Sequence, residues 1–176
     1  MQRISLVEKD QAHPLIRETY QKLEDQGSQV LNLNKVMAHC PHIGLNFQRL
    51  GNSILRGEGL SARLRELAVL RVGNLTNAHY ELVKHTPIAL RAGVSRQQVN
   101  DIPDWATSAE FNDQERTVLQ YTDEVTQGTG VNDKTFNDLR AFLVEPEIVE
   151  LTAAIGYYGM VARILNALQI ELESQT

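Results

Sequence analysis

Within "NAHYELVKHTPIALRAG", residues 77–93, Glu81 stands four positions before His85. On a helix that spacing puts the carboxylate and the imidazole on one face, shared with Ala78, Leu82 and Ala89. Three chemistries fit such a pair: a solvated ion pair, a metal ligand set, or an acid–base couple facing a gap between helices. A metal ion wants at least three converging ligands. His79 does not share a tight face with Glu81 and His85, and the HExxH arrangement is absent, so no metal site is expected. In the preceding segment, "RLRELAVLRV", Glu66 lies beside an apolar stripe of Leu64, Leu67, Val69 and Leu70, which predicts partial burial. A carboxylate buried near a histidine has its pKa raised and can act as a general acid or base. Spacing alone favours the solvated pair.

These residues need helices to position them, and helical signals dominate the chain. Pro14 suits the first turn of a helix over 14–26 that carries Leu15, Ile16, Tyr20 and Leu23. "GSQVLNLNKV" reads as a polar connection. Pro41 opens a helix whose buried side is expected from Ile43, Leu45, Phe47, Leu50 and Leu55. Ser61 is a predicted N-cap for an apolar helix running to about Asn74. The helix over 77–92 should stop at Gly93, and Pro87 should kink it by leaving the Val83 carbonyl without a donor. Ser95 with Gln98, and Asn112 with Glu115, have the form of capping boxes. Asp133 starts a further helix, and Pro146 opens the last and longest, through "EIVELTAAIGYYGMVARILNALQIELE". No segment alternates as a strand does. The expected fold is all-α, roughly seven or eight helices in a single domain spanning residues 1–176.

Composition narrows the partners. With 42% hydrophobic and 22% charged residues, the chain of 176 residues can bury a sizeable core. A formal net charge of −5 argues against nucleic acid, which needs clustered cations. No apolar run approaches the ~20 residues that cross a bilayer, and the first residues lack a signal-peptide core, so no membrane partner and a cytoplasmic location are expected. The single cysteine, Cys40, excludes an intrachain disulfide. Arg63, Arg65 and Arg71 read as a solvated face. Gly156, Tyr157, Tyr158 and Gly159 read as a close-packing surface, with a ligand lying over it as the sharper alternative.

The stretch "LRELAVLRVGNLTNAHYELVKHTPIALRAGVSRQQV" resembles the core motif of the carboxymuconolactone decarboxylase and alkylhydroperoxidase-D-like family. The likeness is strongest over residues 60–100 and extends more loosely over "VMAHCPHIGLNFQRL" and "EPEIVELTAAIGYYGMVARILNAL". It implies an all-α subunit that assembles as a homo-oligomer, a trimer or hexamer. The peroxidase branch carries Glu-x11-Cys-x2-Cys-x3-His. Carried over, its glutamate falls on Glu66 and its histidine on His85, while the thiol positions fall on Ala78 and Glu81. Neither of these forms a thiolate. The resemblance therefore implies the thiol-free, decarboxylase side: a cofactor-free enzyme of aromatic-compound catabolism acting on a small lactone or organic acid. His85 is the implied acid/base, Glu81 or Glu66 orients and tunes it, and Tyr80 is a candidate hydroxyl donor. Arg71 or Arg163 is the candidate to meet a substrate carboxylate. The rival readings are a non-catalytic ligand-binding or scaffold oligomer of the same fold, and a peroxidase that uses Cys40.

Overall fold

The computed structural model describes residues 2–57, 59–128 and 130–174. Among them the fold is all-α: α1 (Pro14–Asp25), α2 (Asn32–Met37), α3 (Pro41–Leu55), α4 (Ala62–Leu75), α5 (His79–Arg91), α6 (Arg96–Asp101), a 3-10 turn (Ile102–Asp104), α7 (Asp113–Gln127), α8 (Asp133–Arg140) and α9 (Glu145–Leu168). The chain forms two compact units, one of Met1–Ser53 with Ile164–Thr176, the other of Ile54–Arg163.

The first unit packs Ile16 and Tyr20 of α1 with Ala12, Val30 and Ala38. Tyr20 is pushed up to about 12 by burial, reinforced by the charge of Glu8. Two expectations need correcting here. Part of the predicted connection is helical: Asn32 of α2 is held by Glu173, which accepts from its backbone N–H at 2.6 Å, and by the Glu171 carbonyl. In α3 the buried side is Gly44, Phe47 and Gly51, while Ile43 and Leu50 are 60% and 47% exposed. The reason lies at Gly44, where a β-carbon would sit 2.8 Å from the Met37 carbonyl oxygen. The close approach there turns the glycine face inward and the larger side chains outward.

In the second unit α4 is the central element, with every residue from Arg65 to Gly73 buried. Its Leu67 and Leu70 pack with Ala89, Val94, Ile102, Trp105, Phe111 and Leu119, and each such buried Leu contributes about 2 kcal/mol. The arginines of α4 are not a solvated face. Arg71 is bidentate to Asp123, at 2.6 and 2.9 Å, and donates to the carbonyls of Ile102 and Pro103. Arg63 donates to Glu115 and Gln98, and Gln98 donates to Glu115. Both expected capping boxes form, at Ser95 and Asn112. Gly93 adopts φ +90 as the left-handed stop of α5.

α9 ends at Leu168, short of the expected stop, because Gln169 turns left-handed and the Ile170 N–H closes back on the Leu165 carbonyl. The helix is long and apolar enough to cross a bilayer, with mean hydropathy 1.4 over its most apolar window, contrary to the expectation that no apolar stretch approaches that length. Slightly more than half of that window, 56%, is buried inside the protein, as expected of a core helix.

Candidate functional site

The turn between α4 and α5 sets the geometry. Asn77 adopts φ 52, and the Ala78 N–H reaches back to the Gly73 carbonyl at 2.8 Å. This closes a Schellman-type stop and folds α5 back along α4. The two helices come close at Gly73, where a β-carbon would lie 3.1 Å from Leu82 and 3.5 Å from the β-carbon of Glu81. A residue that weakens an isolated helix thus permits tight helix packing beneath the site. α5 then runs on through Pro87 to Arg91.

Glu66, Glu81 and His85 are brought together. Glu66 is fully buried, and its Oε2 lies 2.8 Å from Nδ1 of His85. Its Oε1 accepts from Nε of Arg65 at 3.2 Å, so a buried cation balances it. The Glu66 bond assigns the proton to Nδ1 in the neutral imidazole and turns Nε2 toward Glu81. Nε2 is 3.5 Å from Oε2 of Glu81, too long for a hydrogen bond, and that oxygen is buried with no hydrogen-bond partner. Burial pushes the Glu81 carboxyl up to about 7. His85 opposes the shift and the charge of Glu66 adds to it.

α9 supplies the aromatic wall. The ring of Tyr158 meets the His85 ring edge-on at 4.6 Å between centroids, and Tyr157 packs against Tyr158 in the same manner at 5.2 Å. Burial raises both phenols above their ordinary range, helped by Glu81 at Tyr157 and by Glu66 and Glu81 at Tyr158. Tyr80, by contrast, is buried with the Lys84 ammonium 5.6 Å from its ring centroid. Gly73 carried no expectation, Arg65 was expected on a solvated face and is buried against Glu66, and Tyr158 was expected at a close-packing surface. The signal for Tyr158 was present in the glycine-flanked aromatic pair of α9. Cys40 is exposed and belongs to the first unit.

This arrangement can hold a proton on either side of one imidazole and pass it to a group that reaches the vacant acceptor on Glu81. Glu66 is sealed, whereas Glu81, His85 and Tyr157 keep 5%, 6% and 8% of their surfaces.

Comparison with known proteins agrees with the all-α fold. Residues 41–124 match the family described as the carboxymuconolactone decarboxylase family. No curated protein matches the chain. An uncharacterized peroxidase-related protein from Ralstonia eutropha JMP134, described as an alkylhydroperoxidase AhpD core, superposes with a TM-score of 0.86 at 19% identity, covering 98% of this chain and 93% of that one. A protein of unknown function from Agrobacterium tumefaciens is 27% identical, with a TM-score of 0.72 over 79% of this chain and 96% of its own. The debrominase Bmp8 is 20% identical, with a TM-score of 0.80 over 97% and 92%. Bmp8 is also known as a cysteine-to-alanine variant in complex with 2,3,4-tribromopyrrole.

Proposed function

We propose that this chain, which its residues 41–124 place in the carboxymuconolactone decarboxylase family, is a general acid–base enzyme that moves a proton on a small lactone or related carbonyl compound. The single observation that carries the reading is the buried Glu66–His85–Glu81 array, in which one carboxylate oxygen is left without a partner. An unpaired buried acceptor costs stability, so an array that keeps one is built for something other than packing. In the proposed reaction Nε2 of His85 takes a proton from the carbon beside the substrate carbonyl. Glu66 stabilises the imidazolium through Nδ1–H, and the proton returns to a second substrate atom from His85 or from protonated Glu81. The phenol of Tyr158, whose ring meets that of His85 and which burial holds protonated, is the proposed donor for an oxygen that gains charge.

The scaffold alternative expects a solvated Glu81–His85 pair, and burial of both counts against it. The peroxidase alternative rests on Cys40, which is exposed and has no second cysteine in its own chain with which to form a disulfide. We also propose that the subunits assemble through α9. Val149 and Met160 are 67% and 40% exposed, and they line up with Gly156, whose outer face is open.

Deuterium uptake from D2O into a panel of small lactones and carbonyl acids, followed by NMR, tests the reaction. Exchange accelerated by the protein and reduced about 10²–10⁴-fold in His85→Gln is expected. If no compound exchanges faster with wild type than with that variant, the enzyme reading fails.

A further inference from the structure

We propose that the Glu81–His85 site selects uncharged ligands and turns carboxylates away, so that the substrate is a neutral lactone or ketone. This rests on the acid–base reading above and narrows its substrate class.

Among the described residues, the ionisable groups around the imidazole come from three helices. α4 contributes Glu66 and Arg65, α5 contributes Glu81, and α9 contributes the phenols Tyr157 and Tyr158. The one cation in this set, Arg65, is buried and bonded to Glu66. The other arginines that a substrate carboxylate would need are committed elsewhere. Arg71 holds Asp123 and two carbonyls, Arg63 holds Glu115 and Gln98, and Arg163 is exposed and donates to the Gly159 carbonyl of its own helix. Lys84 lies over the Tyr80 ring.

A carboxylate entering this site would lose its water and meet an acidic oxygen instead of a cation. Oε2 of Glu81 either repels it as a carboxylate or, once protonated, gives it a single hydrogen bond. A lactone carbonyl needs only that one bond, and its adjacent C–H presents the proton that Nε2 can take. Glu81, His85 and Tyr157 are buried, so a ligand that reaches them gives up its water, which costs a neutral molecule far less than an ion. Loss of CO2 requires a carboxylate on the substrate, so a site of this charge favours a proton shift within an uncharged ring.

A matched pair of probes tests the selectivity: methyl 5-oxotetrahydrofuran-3-carboxylate and the corresponding free carboxylate, titrated at pH 8 while the His85 ring signals are followed by NMR. The ester is expected to move His85 and to bind at least tenfold more tightly than the acid. In Glu81→Gln that ratio should narrow toward equality. Equal or tighter binding of the acid overturns the proposal, as does the failure of the ester to move His85. The outcome is separable from that of the parent reading. Lactone deuteration with an acid that binds as well as its ester sinks only the selectivity. Ester-selective binding without any deuteration sinks only the catalysis.

Discussion

Oε2 of Glu81 lies 3.5 Å from Nε2 of His85, near enough to couple the two charges and too far for a hydrogen bond. On the other side of the ring, Nδ1 is closed at 2.8 Å on Glu66. One imidazole is thus anchored on one edge and left available on the other.

Glu81 should make the protein less stable as pH rises. Its folded-state carboxyl sits at about 7 against an ordinary 4.5, so between those values the unfolded chain releases a proton that the folded chain keeps. The burden grows across that window and is complete above it, at on the order of 2 kcal/mol. Glu81→Gln should match wild type near pH 4 and exceed it near pH 8 in urea denaturation. A stability difference independent of pH would contradict the buried, proton-holding carboxyl.

Removing Glu66 strands a charge. In Glu66→Ala, Arg65 stays buried with its carboxylate partner gone and Nδ1 of His85 loses its acceptor, so a loss of about 3–5 kcal/mol is expected. Replacing Arg65 and Glu66 together by Met and Leu should recover much of it, because no charge is then left unpaired. Thermal unfolding of the single and double variants reads this directly, and additive losses would contradict the pairing.

Gly73 fixes the distance between α4 and α5. Gly73→Val would drive a branched side chain into Leu82 and toward Glu81, at a cost of about 1–3 kcal/mol. It should also loosen the Glu66–His85 bond, seen as faster hydrogen exchange of the His85 ring N–H. A variant with unchanged exchange would show that the site does not depend on this close approach.

The α9 stripe should govern assembly. Ala153→Glu with Met160→Glu places two carboxylates on the exposed face of the helix. Light scattering should report a smaller species with unchanged helical circular dichroism. A wild-type monomer, or an assembly indifferent to both charges, would contradict docking through this face.

Much of the fold was legible because the signals were local. Pro14 and Pro41 at helix starts, the boxes at Ser95 and Asn112, and the left-handed stop at Gly93 involve residues within one turn of each other, and each forms as read. The errors fall where a distant group intervenes. α2 gains Glu173 from the far end of the chain, and Ile43 and Leu50 face outward because Gly44 meets the turn before it. Left-handed Asn77, doing what Gly93 does elsewhere, carried no glycine to announce it.

By itself the sequence determined an all-helical chain, the shared face of Glu81 and His85, and a single cysteine that lies outside the helix pair. These follow from side-chain chemistry and a period of 3.6 residues. Only the tertiary structure decided that Glu66 closes on Nδ1, that Tyr158 of α9 walls the ring, and that the arginines of α4 are consumed by internal carboxylates. Spacing along one helix cannot choose between solvent and interior, because burial and charge pairing are settled by what the neighbouring helices bring.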